Sequence, residues 1–126
     1  MDSLRISEKS GAFEVFAQVE ELGNDLLVVL WGGPTPHIGA VGMAETRPSL
    51  RDKKLVSATS SVFTFLGHKE DTVAKRMSEE LAKKLQKKVV VVAGMHWDGL
   101  KDREIEEIIE VCQRIEERIL NEMGGK

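Results

Sequence analysis

The spacing of apolar residues changes near residue 68 from the alternation typical of strands to the spacing typical of helices, and this change limits the folds open to the chain. Before it, apolar stretches are short and end at turn-forming residues. Four of them predict strands, at residues 12–22, 26–31, 38–45 and 55–66. After it, the sequence predicts an amphipathic helix at 68–88, a buried strand at 89–97 and a second amphipathic helix at 102–123. The apolar stripe of this second helix is predicted to pack on the sheet and consists of Ile105, Ile108, Ile109, Cys112, Ile115 and Ile119.

The predicted order is therefore β-β-β-β-α-β-α, an α+β fold with a mainly antiparallel five-stranded sheet and two helices on one of its faces. A chain of 126 residues is expected to form one domain, spanning residues 1–126. If the first four strands form a meander, the crossover helix returns the fifth strand parallel to the fourth. The second, fourth and fifth strands then end, and the third begins, at one edge of the sheet.

All three histidines of the chain are predicted to lie at that edge. His37 begins the third strand, His68 follows the fourth and His96 closes the fifth. One histidine at a strand end has an ordinary packing explanation, but three at one edge predict a binding site.

Several residues near this edge suit a phosphorylated ring compound. The N-terminus of helix 68–88 favours an anion, with His68 and Lys69 as donors. The indole rings of Trp31 and Trp97 could stack on a planar group. Three glycines would admit a ligand against bare backbone: Gly32, Gly33 and Gly94.

Composition excludes several classes of partner. A formal net charge of -3 argues against nonspecific nucleic-acid binding, which needs a basic surface. No stretch approaches the roughly 18 apolar residues of a membrane span, so no membrane partner is expected. The single cysteine, Cys112, fits a reducing compartment, and the segment MDSLRISEKSG lacks the apolar core of a signal peptide. The expected location is the cytoplasm.

Three motifs resemble the LpdD-like family of prenylated-flavin chaperones, whose fold is similar to that of proteasome assembly chaperones: GGPTPHIG (32–39), GHKED (67–71) and AGMHWDGL (93–100). The resemblance extends from the second strand through the last helix. It implies a non-enzymatic chaperone that binds prenylated FMN or FMN as cargo and assists its delivery to, or maturation in, a UbiD-type decarboxylase. A flavin prenyltransferase is a further expected partner.

The resemblance directs attention to eleven residues of these motifs, among them Asp71. From their chemistry we expect the other ten to form the cargo site: Gly32, Gly33, Pro36, His37, Ile38, Gly39, His68, Lys69, Gly94 and His96. We expect His37 to donate a hydrogen bond to the ring or the phosphate, and His68 and Lys69 to bind the phosphate.

Two other functions stay open on the sequence. The first is an assembly chaperone that acts through protein contacts alone. The second is a metal-dependent hydrolase with zinc on His37, His68 and His96, since three histidines with an open position suit catalytic zinc. The chain has no HExxH motif, and Asp71 and Asp98 are the only carboxylates expected near the site.

The sequence also predicts a homodimer. The last helix has apolar residues outside its main stripe, and a small sheet leaves an edge strand open. These extra apolar residues are Val111, Leu120 and Met123.

Overall fold

The computed structural model describes residues 3–48, 56–65 and 70–124. Its elements, in chain order, are β1 (Ser3–Ser10), β2 (Phe13–Leu22), β3 (Asp25–Gly32), β4 (Ala40–Pro48), β5 (Val56–Thr64), α1 (Asp71–Leu85), β6 (Val89–Met95) and α2 (Asp102–Gly124). The α+β class and both helices are as predicted. The sheet is not: the described residues form six strands rather than five, and their pairing is mixed parallel and antiparallel.

The strand that the sequence failed to predict is β1. It pairs antiparallel with β2, with Ser3 opposite Glu20 and Ser10 opposite Phe13. Its sequence, SLRISEKS, has few apolar residues because it lies at the edge of the sheet, where only Ile6 is buried. Gly11, with a φ of 58°, forms the turn between the two strands.

The predicted meander is wrong, because β6 lies between β3 and β4 in the order β1-β2-β3-β6-β4-β5. It runs parallel to β3, with Leu26 opposite Val89, and antiparallel to β4, with Ala40 opposite Ala93. The physical reason is that the run VVVV is apolar on both faces, which favours a central position. The strand directions are nevertheless those predicted. The ends of β3, β5 and β6 and the start of β4 therefore share one edge, called here the site edge.

Both helices pack on the same face of the sheet, called here the covered face. Helix α1 lies over β4, β5 and β6, and α2 lies over β1 and β2 and against α1. The predicted stripe of α2 is buried at Ile108, Ile115 and Ile119. Val111 and Met123 are buried in the same core, and this corrects the idea that they pair two copies of the chain. Because β1 widens the sheet, α2 has more apolar surface to cover than a five-stranded sheet would present.

No helix covers the other face of the sheet in the described part of the chain. We call it the open face. Its central side chains are apolar: Leu27, Val29, Trp31, Val41, Met43, Phe63, Val90 and Val92. Met43 is 50% exposed and Phe63 is 64% exposed.

Candidate functional site

The site edge brings together the segment 33–39, the start of α1 and the segment 96–101 that follows β6. The imidazole rings of His37 and His96 lie with their centroids 6.1 Å apart. This is the meeting of two histidines that the strand directions predict. His68 and Lys69, which the sequence also places there, lie outside the described residues.

Glu70, which precedes α1, ties these segments together. Its carboxylate is buried, and its Oε1 accepts a hydrogen bond of 3.2 Å from the backbone N–H of Met95. The same oxygen lies 3.1 Å from Nε2 of His37. The other oxygen, Oε2, has no hydrogen-bond partner among the described residues and packs against Gly39, where a Cβ would collide with it. One carboxylate thus fixes the end of β6, the segment 33–39 and the start of α1.

His37 is held from both sides of its ring. Nδ1 lies 3.2 Å from the backbone carbonyl oxygen of Thr35, and Nε2 faces Glu70. Pro36 and Ile38 lie on the outside of the segment, and Ile38 is 58% exposed. The two neighbours of His37 therefore face solvent while the imidazole ring faces the protein.

The glycines of the site edge have a different role from the predicted one. A Cβ at Gly94 would overlap the carbonyl oxygen of His37, and one at Gly33 would overlap that of His96. Gly33 also has a φ of 85°, which side chains disfavour. A Cβ at Gly32 would meet the ring of Trp97. Other groups do approach the backbone of these glycines closely, as predicted, but these groups belong to the protein chain itself. A ligand therefore has no room on the side of each glycine where a Cβ would project.

A cavity close to the histidines lies on the covered face, between the N-terminal ends of the two helices. Its volume is about 480 Å³. Its walls are mainly apolar and include Val73, Met95, Trp97, Leu100, Ile105 and Ile109. Three polar side chains, Glu70, Thr72 and His96, also line it. Trp97 is fixed in place because its ring packs edge-on against Phe13, with centroids 5.4 Å apart.

A second cavity, of about 380 Å³, lies between β5 and the outer side of α1. Its lining is mainly charged, and two of the charges are paired with one another: Lys75 donates to Glu79, which also accepts a hydrogen bond from Ser60. These contacts lower the pKa of Glu79, with the Lys75 hydrogen bond as the largest cause. Because this lining offers a ring compound little apolar contact, the cavity between the helix ends is the better candidate site.

Among the described residues, the charge at the candidate site is mainly negative. Helix α1 begins at Asp71 rather than at residue 68, and Glu70 occupies its N-cap position without capping it. Asp98 lies beside His96, with 2.9 Å between its Oδ1 and the histidine Nε2. A phosphate placed directly on the end of α1 would meet the Glu70 carboxylate. The structure therefore disfavours that position for a phosphate group.

The predicted zinc site is incomplete in the described residues. Within residues 3–48, 56–65 and 70–124, no three His, Cys, Asp or Glu side chains are grouped so that they could hold a metal ion. His68, the third member of the predicted triad, is outside these ranges. Among the described helices, none has the length and apolar character needed to cross a membrane.

Residues 9–124 match the family of the prenylated flavin chaperone LpdD-like domain. The chain belongs to the LpdD-like family. Protein LpdD of Lactiplantibacillus plantarum is 30% identical over 101 residues, which are 79% of this chain and 68% of that protein. The predicted family is thereby confirmed, and with it a chaperone-type protein.

The fold of this LpdD-like chain is similar to that of a chain in a chaperone complex for yeast 20S proteasome assembly. The TM-score is 0.61, and the match covers 97% of each chain. The sequence identity is 11%, so the similarity shows the fold alone.

Sequence reasoning missed Glu70, although it lies between Lys69 and Asp71 in the motif GHKED. The sequence signal that could have identified it is a carboxylate directly before an amphipathic helix. The chain also contains a glycine, Gly39, against which this carboxylate can pack. The sequence also led us to predict that Ile105 and Ile109 of the LpdD-like protein belong to the apolar stripe with which α2 packs on the sheet. In the structure both side chains line the candidate cavity.

Proposed function

We propose that this LpdD-like protein is a non-enzymatic chaperone that binds prenylated FMN or FMN as cargo in the cavity between the two helix ends. The observation that carries the proposal is a cavity of about 480 Å³ with mainly apolar walls and a few polar groups. Small-molecule sites generally have this character and volumes of about 300–1,000 Å³. The description of the matching family, a prenylated flavin chaperone, supports the same cargo.

The lining suits a flavin ring better than it suits a phosphate. Val73, Ile105 and Ile109 offer apolar contact to the faces of the ring, and Thr72 and His96 can hydrogen-bond to its polar edge. Since Glu70 repels an anion, the ribityl phosphate would extend to the cavity mouth. The proposed contacts of the phosphate are His68 and Lys69.

The predicted site residues take two roles in this proposal. His96 contacts the cargo directly. The segment 32–39, with Gly94, shapes the site through its packing on Glu70 and on the end of β6.

The proposed partners are a UbiD-type decarboxylase, which receives the cargo, and a flavin prenyltransferase, which supplies it. The proposed location is the cytoplasm, and the proposed working unit is a homodimer. An apolar cavity that opens to solvent at the helix ends suits this task, because the cargo can leave without unfolding of the protein.

Titration with FMN, followed by Trp97 fluorescence in a Trp31→Phe background, tests the proposal. Ile105→Trp should fill the cavity and weaken binding by at least about tenfold, since a steric block of this size removes most of the contact. The matched control is Asn121→Trp, an exposed and uncharged position on the same helix. It should bind as the parent does.

The same titration separates the alternatives. Absence of binding of both FMN and prenylated FMN, with decarboxylase maturation still supported, would favour a chaperone that acts through protein contacts alone. Tight zinc binding that is lost in His37→Ala, with no flavin binding, would favour the metal-dependent hydrolase.

A further inference from the structure

The cations of helix α1 differ in how closely a carboxylate approaches them. Its three lysines are each paired with an acid, as Lys75–Glu79, Lys83–Glu80 and Lys84–Glu80. Arg76 is the exception among the described residues of this helix: its Nη2 lies 4.0 Å from Oε2 of Glu116, which is beyond hydrogen-bond distance. The N–H donors of the Arg76 guanidinium are therefore not used by this ion pair.

Arg76 lies one helical turn beyond the candidate cavity. Thr72 and Val73 line that cavity, and together with Ile109 they also line a narrow pocket between α1 and α2. Arg76 lines the same narrow pocket. Because four helical residues span about 6 Å along the axis, the guanidinium is within reach of a ligand that extends from the cavity.

The Arg76 side chain is also open to solvent. It is 52% exposed, whereas the side chain of Glu116 is 6% exposed, so an anion can reach the guanidinium while Glu116 stays buried. A guanidinium binds a phosphate group through two parallel N–H donors, and a nearby hydroxyl can add a third. Glu70 and Asp71 repel an anion at the start of α1, so the second turn of the helix is the more favourable position.

We propose that Arg76 binds the phosphate group of the flavin cargo, with the hydroxyl of Thr72 as a further donor. The proposal rests on the cargo function proposed above and adds a described residue to the phosphate contacts His68 and Lys69. The five-carbon ribityl chain of FMN is long enough to cover one helical turn of about 5.4 Å, so the ring can occupy the cavity while the phosphate reaches Arg76. The protein should therefore select flavin phosphates over riboflavin, which lacks the phosphate.

The contact with Glu116 limits how strongly Arg76 can bind an anion. The carboxylate attracts the guanidinium and repels a phosphate bound beside it, so the two anions compete for one cation. Removal of the Glu116 charge should then tighten the binding of FMN and leave the binding of riboflavin unchanged. A merely structural role for Arg76 gives no such difference between the two flavins.

Titration with FMN and with riboflavin at pH 8, followed by Trp97 fluorescence in the Trp31→Phe background, tests the proposal. This parent should bind FMN at least about tenfold more tightly than riboflavin, as expected for a charge-assisted contact. Arg76→Gln should weaken FMN binding by about tenfold and leave riboflavin binding within about twofold, which also checks that the cavity is intact. The matched control is Lys83→Gln, the same charge change about two turns further along α1, and it should bind both flavins as the parent does.

Glu116→Gln gives a test in the opposite direction. It should tighten FMN binding by about threefold or more, whereas Glu122→Gln, the same charge change at an exposed position of α2, should not. Equal affinity of the parent for FMN and riboflavin would overturn this proposal and leave the cargo function standing. So would equal losses of both flavins in Arg76→Gln, or a loss of FMN binding in Lys83→Gln as large as that in Arg76→Gln. Binding of neither flavin by the parent would overturn the cargo function itself, and this proposal with it.

Discussion

The covered face and the open face of the sheet are both apolar, yet their side chains have different surroundings. On the covered face, Val28 and Val91 are fully buried under the helices, whereas on the open face Met43 and Phe63 are at least half exposed. Alternation of apolar residues therefore identifies a strand but not what covers it. A face that sustains the fold and a face available for association look alike in sequence.

The largest expected difference between the faces is in the free energy of unfolding. Ile115→Asp, on the side of α2 that packs against the covered face, should lower it by about 3–5 kcal/mol because an unpaired charge is buried. Met43→Lys, measured at a dilution where the wild type is also monomeric, should change it by less than about 0.5 kcal/mol. Thermal unfolding of both variants checks this. Equal losses would mean that the open face also sustains the single-chain fold.

The second largest expected difference is in the rate at which a thiol on each side of the sheet reacts. Burial, reinforced by the Glu116 carboxylate, raises the pKa of the Cys112 thiol to about 12. The thiol should react with a disulfide reagent at pH 8 only when the protein opens, at least about a hundredfold more slowly than a cysteine introduced by Met43→Cys in dilute monomer. Rapid reaction of Cys112 in the folded wild type would contradict the described core.

Glu70 tests whether a buried polar group at the site edge sustains the fold. Glu70→Ala leaves the N–H of Met95 without its acceptor and should cost about 1–3 kcal/mol in unfolding free energy. Glu70→Gln retains an acceptor oxygen and should cost less. A double-mutant cycle with His37→Ala should show a coupling between the two residues. Additive losses would mean that the 3.1 Å contact contributes nothing.

The smallest expected effect concerns Glu116, a buried carboxylate of α2, the helix that packs on part of the covered face. Burial is the largest cause that raises its pKa above 4.5, and the Arg76 guanidinium, 4.0 Å away, offsets it only in part. The folded protein holds this proton more tightly than the unfolded chain does, so its stability falls as the pH rises from 4.5 through the raised value.

Glu116→Gln should therefore raise the Tm by a few degrees at neutral pH, and the gain should disappear below pH 4.5. Glu117→Gln, at the exposed neighbouring position, is the control and should change the Tm less. A gain that is the same at all pH values would show that ionisation of Glu116 is not its cause.

Local patterns predicted most of the elements, because period and turn residues act over a few neighbours. The direction of each strand followed from their alternation along the chain, and this was enough to bring His37 and His96 together. Strand order was not predictable in the same way. The position of β6 between β3 and β4 depends on which neighbours bury both of its faces, and that is a property of the whole sheet. β1 was missed because an edge strand needs few apolar residues.

The candidate site was predicted only in outline. The glycines correctly indicated a close approach, but the sequence does not say whether a ligand or the chain itself makes it. Glu70 acquires its role only when Gly39 leaves room for its carboxylate. The cavity walls Ile105 and Ile109 have the same spacing as core residues, and they differ from them because the ends of the two helices do not meet there.

The position of β6 also determines when the protein can fold during its synthesis. The strands β1 to β3 and the pair β4 and β5 can each form from neighbouring segments as they leave the ribosome. In the described pairing, however, only β6 joins these two groups. Until residues 89–95 are available, β3 and β4 each present an unpaired edge with apolar side chains, which exposes the nascent chain to aggregation. The sheet therefore cannot close before residues 89–95 have been synthesised, and the candidate cavity, bounded by β6 and α2, forms only after it.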